Sequence, residues 1–530
     1  MKKTLSLILL AVLILSFALT GCTAPSGGGE ATAAPGSAGE PSANFSYPMD
    51  PITLTINMDP QDYSTIPDWA LEYYWYDVLA EKTGVTLDCI GSAAGAIDMT
   101  DEFLLLLASG DYPDMLRACW ASGFPGGPNV AIQDGYIITL DEYSEYFPRL
   151  SKYLEENPKL DAYIRNDEGQ LYCFPKITLE EVGTGPVVRQ DWLDQLNLDV
   201  PETVDEWHNT LTLFKEELGV PSPLTFEFRW MFLEYAASSL SSPYGVTYPF
   251  YIMDGEVKFG PLEEGYPEFL AMMADWYSQK LIDPDIASVD KNTVQAKFAT
   301  GEAGIAIQQI GNVSNCIDAN LDDPDYAVTP LKAMVESKGD EPQFSRWVRP
   351  YDGGHSIAIS TGCDNIEAVC RYLDYLYGDE GAVFANFGDE GIAHEIVDGE
   401  YVWSDFILNN PNGGAPGSVK GYIVPASNWH KVNVPAPTLL TDKVQAIYEG
   451  WVCNMSGYVY PTVTHTLEET EAISGAYNDI DTYCREWITK FVLGTTPMSE
   501  YENFKNELIR MGIEDVLAVK AAAYERFVNR

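Results

Sequence analysis

ITLTIN (Ile52–Asn57) opens a stretch that continues through VTLDCI (Val85–Ile90) to DMLRAC (Asp114–Cys119). The first of these alternates apolar and polar residues with the period of a strand, and the other two are short apolar runs of strand length. A helical pattern lies between the first and second, around Trp69 to Lys82, and Gly84 closes it at a helix C-terminal position. Met99 to Ala108 supplies a second helix before the third strand. Strand, helix, strand, helix, strand with short connections predicts an α/β fold built on an open parallel sheet. Ligands of such sheets bind beyond the carboxyl ends of the strands.

Working outward, the chain becomes more helical. Phe269, Met272, Met273 and Trp276 fall at i, i+3, i+4 and i+7, an apolar stripe that reads as core. HSIAIS (His355–Ser360) reads as a strand and Ile366–Tyr377 as the helix after it. The chain ends in two long helical stretches, Ile473–Phe491 and Met498–Phe527, separated at Gly494 and Pro497. No internal repeat is visible.

The N-terminal residues read differently. Lys2 and Lys3 precede an apolar run from Leu5 to Leu19, which is short for a membrane span, and Leu19-Thr20-Gly21-Cys22 follows. This is the pattern of a bacterial lipoprotein signal over residues 1–22, cut before Cys22, whose thiol receives diacylglycerol. Two acyl chains suffice for stable anchoring. The expected location is therefore the outer face of the cell membrane. Thr23 to Asn44 holds no aromatic residue and cannot offset its ordering entropy, so residues 23–50 are expected to form a disordered tether. The remaining ~480 residues exceed one ordinary core and imply two lobes.

Asp and Glu number 79 against 31 Lys and Arg, for a net charge of -48. A field of that sign repels phosphate backbones and excludes nucleic acid as a partner. The nine cysteines show no CxxC or zinc-finger spacing. Cys89 and Cys119 end two strands expected to be neighbours and could meet. Free, buried thiols are otherwise the expectation.

Several segments together resemble one family, the bacterial extracellular solute-binding lipoproteins of the maltose-binding-protein-like cluster, and within it the long LplA-like members that serve importers of oligosaccharides, including aldouronates. They are ASGDYPDMLR (Ala108–Arg117), DGYIITLDEY (Asp134–Tyr143), GQLYCFP (Gly169–Pro175), VRQDWLDQLNL (Val188–Leu198) and PETVDEW (Pro201–Trp207). LIDPD (Leu281–Asp285), AKFATGEAGIAI (Ala296–Ile307) and AAAYERF (Ala521–Phe527) complete the set. The resemblance implies a two-lobed clamp with an α/β sheet in each lobe. Residues 51–178 and 333–415 would form lobe 1, and 179–332 and 416–530 lobe 2. The crossings are placed near Lys176–Gly185, Val328–Lys332 and Asn410–Ser418, with Gly183, Gly185, Gly413, Gly414 and Gly417 allowing hinge rotation. Many long relatives follow the PETVDEW-like helix with an Asn-Gly-Lys-Asp loop that can hold calcium. Phe214–Thr225 (FKEELGVPSPLT) lacks it, so no metal and no cofactor is expected.

The function implied is capture of a carbohydrate and its delivery to an ABC permease by a monomeric binding protein, not an enzyme. Sugars present hydroxyls and flat C–H faces, and their sites combine aromatic platforms with amide and carboxylate groups. Trp120 and Phe124 follow the third strand in the loop WASGFPGG, from which relatives reach the cleft. The segment after GEAGIAI brings Gln308, Gln309 and Asn312 there. Trp230, Trp347, Trp429 and Trp451 are further aromatic candidates, and Asp59 is a candidate acceptor after the first strand. Trp192, Trp207 and Trp276 read as structural. Arg189, Arg346 and Arg349 could pair a uronate carboxylate, although Arg189 in the RxDW segment equally suits an ion pair within its lobe. The rival class is a secreted glycoside hydrolase with two opposed carboxylates. No GxSxG elbow, zincin spacing or dinucleotide fingerprint supports other enzyme chemistry.

Overall fold

The computed structural model describes residues 45–530 apart from 59–63, 65, 91–100, 122, 178–182, 230–236, 321, 343–350, 415, 426–441 and 452–459. The strands, in chain order, are β1 (Ile52–Ile56), β2 (Val85–Cys89), β3 (Met115–Ala118), β4 (Phe174–Ile177), β5 (Thr184–Arg189) and β6 (Leu224–Phe226). They continue with β7 (Phe250–Met253), β8 (Glu256–Phe259), β9 (Ile305–Gln309), β10 (Val328–Pro330), β11 (Tyr351–Ile359), β12 (His394–Val397) and β13 (Glu400–Trp403). Two sheets dominate: β2-β1-β3-β11-β4 and β10-β5-β9-β6. The pairs β7–β8 and β12–β13 are separate hairpins.

In the first sheet β1 pairs parallel with β2 and with β3, as the alternating pattern predicts. β11 enters antiparallel between β3 and β4. The centre of this sheet is apolar, with Leu54, Ile56, Met115 and Leu116 fully buried. Side chains extend the ladder where the backbone stops. The Asn57 amide accepts from the Arg117 N–H at 2.6 Å and donates to the Arg117 carbonyl at 3.1 Å. Asp114 Oδ2 accepts from both the N–H and the hydroxyl of Thr55 at 2.8 Å. These contacts fix the β1–β3 register beyond the single backbone pair Ile56↔Met115.

The helix Trp75–Thr83 ends on Gly84 at φ +79°, where a Cβ would meet the Met49 carbonyl oxygen at 2.3 Å. Only glycine tolerates both the left-handed backbone and that approach. Met49 and Tyr47 thus dock on the first lobe, and the Tyr47 hydroxyl donates to the Arg371 carbonyl at 2.7 Å. The segment expected to be tether up to residue 50 is packed from Phe45 onward, where the Arg371 guanidinium lies 4.6 Å from the Phe45 ring.

Cys89 and Cys119 do not end neighbouring strands, because β1 lies between β2 and β3. Two strand spacings are about 9–10 Å, beyond the reach of a disulfide. Cys316, Cys363, Cys370 and Cys484 are buried thiols. Burial pushes the Cys316 thiol up to about 11 and that of Cys363 up to about 12, which keeps both protonated.

The second sheet packs Val188, Leu224, Phe226, Ile305 and Ile307 against Trp207, Leu211 and Phe214 of the helix Val204–Glu217. The expected stripe of Phe269, Met273 and Trp276 on Gly265–Ser278 joins the same core, as do the C-terminal helices. The last stretch is interrupted at Gly512 (φ +93°), so Tyr501–Arg510 and Ile513–Val528 are separate helices. Arg189 bonds Asp191 through Nε at 2.8 Å and lies 4.5 Å over Trp192 and 4.3 Å over Tyr326. It is a strut inside its lobe.

The chain passes from β4 in the first sheet to β5 in the second. The second crossing does not fall at Val328–Lys332: β10 belongs to the second sheet, and Leu331 and Met334 lie fully buried in its core. The chain therefore returns only between Val335 and Tyr351. The third is also displaced from Asn410–Ser418, because Val419 and Ile423 pack with Phe387, Trp403 and Ile407 beside the first lobe. It falls after Val424, and the helix Asp442–Trp451 already sits on the second sheet. Gly185 is not a rotation point. A Cβ there would lie 2.5–2.7 Å from the Trp451 indole, so the glycine admits that ring, whose Nε1 donates to the Pro186 carbonyl at 2.9 Å. Trp451 is thereby structural.

The C-terminal helices also tie the lobes together. Asp167 Oδ1, on a side chain 2% exposed in the first lobe, accepts from Arg530 Nη2 at 2.6 Å and from Arg526 Nε at 3.2 Å. Arg526 spans to Glu469 at 2.5 Å, and Phe527 lies edge-on to Tyr163. Asn129 Nδ2 donates to the His465 carbonyl at 2.8 Å, and burial pushes the His465 imidazole down to about 3, leaving it neutral.

Two measurements test these anchors. Asp374 is fully buried, and its Oδ1 accepts from the Arg149 and Leu150 N–H groups at the start of the helix Pro148–Glu156. Asp374→Ala is expected to cost about 2–4 kcal/mol in urea unfolding, since it strands those donors and Arg149. Desolvation raises its pKa to about 6, above an unfolded value near 3.8, with backbone and Arg149 contacts opposing. Wild type should therefore gain stability relative to Asp374→Asn as pH falls from about 6 towards 4; a loss would mean that Arg149 dominates. Arg526→Met should cost about 1–2 kcal/mol at low salt and less in 1 M NaCl.

Candidate functional site

β1, β2 and β3 run parallel, and β4 shares their direction because β11 is antiparallel to both β3 and β4. Their carboxyl ends share one edge, marked by Asn57, Cys89, Trp120 and Ile177. In the second sheet β6 is parallel to β9 and β5 antiparallel to it, so Glu227, Gln309 and Thr184 mark one edge. The link 178–183 joins these two edges directly. The crevice they border is the position that an open α/β architecture reserves for a ligand.

On the first edge Trp120 is fully buried, with its ring 6.0 Å from Phe103 and 5.4 Å from Phe124. Phe124 in turn meets Tyr136 edge-on at 5.9 Å. These two rings are packed into the rim of the lobe core in this conformation, rather than standing as an open platform. The Trp120 Nε1–H has no hydrogen-bond partner among the described residues.

On the second edge Gln308 pairs with Gly185 across the ladder and is fully buried. Its Nε2 has only a long contact of 3.9 Å with Cys316 Sγ, and its Oε1 has no partner among the described residues. Gln309 is exposed opposite Thr184, and Asn312 is half-buried in the opening turn of the helix Ile310–Asp318. The structure therefore gathers Gln308, Gln309 and Asn312 at one edge and Trp120 and Phe124 at the other. Asp59, Trp230, Trp347, Arg349, Trp429 and Cys22, with Arg346, lie outside the described residues.

One edge residue escaped the sequence reading. Glu227 stands just past β6 and is 7% exposed; its Oε1 accepts from Arg229 Nε at 2.5 Å, and its Oε2 is buried without a partner. The signal was present in TFEFR (Thr225–Arg229), where a carboxylate interrupts an apolar run ending a strand. Buried atoms without a partner among the described residues occur elsewhere too, at Trp207 Nε1 and Tyr326 Oη for example, but those of Trp120, Gln308 and Glu227 lie at the strand ends where a ligand of such a fold can reach them. A groove of about 790 Å³ also exists along Phe147, Lys152, Asp161 and Arg165. It lies beside the amino end of β4, away from these edges.

Among the described residues no helix is long and apolar enough to cross a membrane. The chain is 24% identical over 493 residues to the fructooligosaccharide ABC transporter substrate-binding protein FusA of Streptococcus pneumoniae, covering 85% of this chain and 86% of that protein. It is also 24% identical over 276 residues to the polygalacturonan/rhamnogalacturonan-binding protein YtcQ of Bacillus subtilis, covering 49% and 52%. The crystal structure of the alginate-binding protein AlgQ2 without calcium ion superposes with a TM-score of 0.69 at 22% identity, covering 90% of this chain and 98% of that one. That likeness shows a shared fold, a two-lobed mixed α/β clamp. The bacterial extracellular solute-binding protein family matches residues 60–383, more than half of the chain. With its two sheets joined at their carboxyl edges, this chain belongs to that family.

Proposed function

We propose that this protein captures an oligosaccharide between its two lobes and delivers it, chemically unchanged, to an ABC permease, as a monomer held at the outer membrane face by a lipidated Cys22. The observation that carries the reading is the set of buried polar atoms without protein partners on the joined edges: Trp120 Nε1, Gln308 Oε1 and Glu227 Oε2. Together they offer one donor and two acceptors in a largely apolar rim, the mixture that a hydroxyl-rich ligand satisfies. The relatives support the ligand class, since FusA and YtcQ are named for carbohydrate polymers or oligomers.

Capture needs a ligand that favours the closed clamp over the open one. The Asp167–Arg526–Glu469 tie between the lobes limits how they move and favours rotation about that side. Binding without catalysis is supported by the relatives, which are named as substrate-binding and polysaccharide-binding proteins. The LplA-like segments and the Leu19–Cys22 pattern support membership of the lipid-anchored branch of the family.

A thermal-shift screen of the mature chain over neutral and uronate-containing oligosaccharides is expected to find a ligand of micromolar affinity, about -8 kcal/mol. At 100 times its dissociation constant such a ligand stabilises by about 2.7 kcal/mol. The bound sugar should be recovered intact by mass spectrometry; released cleavage products would make the protein a hydrolase instead. Metabolic palmitate labelling should mark the wild type and vanish in Cys22→Ala.

A further inference from the structure

Resting on the oligosaccharide reading, we infer that Glu227 and Gln308 form one hydroxyl-accepting subsite that selects a neutral sugar unit and rejects a uronate carboxylate. The placement comes from the strand register. β6 and β9 are parallel, with Leu224 opposite Ile305, Thr225 opposite Ala306 and Phe226 opposite Ile307. β6 ends at Phe226, and continuing this register by one residue would bring Glu227 alongside Gln308, on the face that Thr225 and Ala306 share. Both residues lie at the carboxyl edge, where the chain arrives from the first lobe.

Their chemistry is matched. Glu227 is 7% exposed and Gln308 fully buried, and each presents an oxygen with no partner among the described residues. The other oxygen of Glu227 is held by Arg229 at 2.5 Å, which orients the carboxylate and leaves Oε2 as the available acceptor. Two neighbouring acceptors, Glu227 Oε2 and Gln308 Oε1, are complementary to adjacent hydroxyls of a sugar ring, each of which brings one O–H donor and can also accept from the Gln308 amide N–H. A hydrogen bond to a carboxylate is stronger than one between neutral groups, so Glu227 is the dominant member of the pair.

An ionised uronate carboxylate has no donor. At this position it would face the acceptor oxygen of Glu227, which the Gln308 amide does not offset, and the chain's net charge of -48 acts in the same direction. Arg229 does not relieve this. Turning its guanidinium to a ligand carboxylate would leave Glu227 buried and unpaired. The subsite is therefore a selectivity element as well as an affinity element.

Isothermal titration of the mature chain, wild type, Glu227→Gln and Gln308→Leu, tests this with neutral trisaccharides (kestose, maltotriose, mannotriose, galactosyl-lactose) and with trigalacturonate and a trimeric alginate fragment. Wild type should bind at least one neutral trisaccharide and neither uronate. Glu227→Gln should weaken the neutral ligand about 10- to 100-fold and Gln308→Leu about 3- to 10-fold. Gln308→Leu should also keep or raise the melting midpoint without ligand, since it removes a buried, unpartnered amide; this variant carries the test if Glu227→Gln fails to fold. Glu227→Gln should improve uronate binding, a change of selectivity that loss of packing does not produce. If a neutral sugar binds and both variants match wild type within twofold, the subsite is wrong while the capture reading stands. Tighter binding of trigalacturonate than of every neutral sugar also overturns the subsite. If no sugar of either kind binds wild type, the capture reading falls and takes the subsite with it.

Discussion

The geometry of this molecule depends on the link between β4 and β5. The chain leaves the first sheet at Ile177 and enters the second at Thr184. Seven peptide steps span at most about 25 Å even when fully extended. The carboxyl edge of one sheet is therefore tethered to the matching edge of the other, and the crevice between the lobes is a consequence of chain connectivity. The return from Val335 to Tyr351 enters β11, whose first residues pair with the carboxyl end of β4, so it closes on the same edge. The family-like fold follows from placing both sheets' ligand-binding ends on one hinge.

Each lobe then holds its edge in place with polar locks, and the segments that resemble the solute-binding family are where the locks lie. In ASGDYPDMLR, Asp114 binds Thr55 and the Arg117 backbone binds the Asn57 amide, aligning β1 and β3. In PETVDEW, Thr203 and Glu206 form a capping box that starts the helix behind the second sheet. Asp283 of LIDPD accepts from Lys297 of AKFATGEAGIAI at 2.8 Å and from Thr225 at the same distance. In AAAYERF, Arg526 reaches Asp167 and Glu469. Most of these locks join residues far apart in sequence, as Asp114 to Thr55 and Arg526 to Asp167 do. Buried charges of this kind are tolerated only when paired and hydrogen-bonded, which ties each residue type to its position.

Buried side-chain atoms without a partner among the described residues occur in several places, Trp207 Nε1 and Tyr326 Oη among them, and those of Glu227, Gln308 and Trp120 lie at the strand ends that border the crevice. Stability foregone at a binding edge and recovered on ligand capture is the expected signature of a preorganised site.

Much of this was readable in the residues. Alternation in ITLTIN, the turn at Gly84 and the apolar stripe from Phe269 to Trp276 specify elements through local periodicity and backbone preference, and those elements appear as expected. The placing of Gln308, Gln309 and Asn312 at one edge was likewise legible, because they directly follow a recognisable strand. Trp120 was legible in position but not in orientation: whether a ring after a strand faces a crevice or packs on Phe103 depends on neighbours distant in sequence. The same holds for Cys89 and Cys119, which strand order separates, and for Gly185, whose reason is a Trp451 ring 266 residues away. Local pattern determined the elements, the lobes' existence and the chemistry available at the strand ends. Tertiary structure decided which strands adjoin, where the chain changes lobe and which polar atoms are left without partners, because those depend on contacts between residues that no short-range period relates.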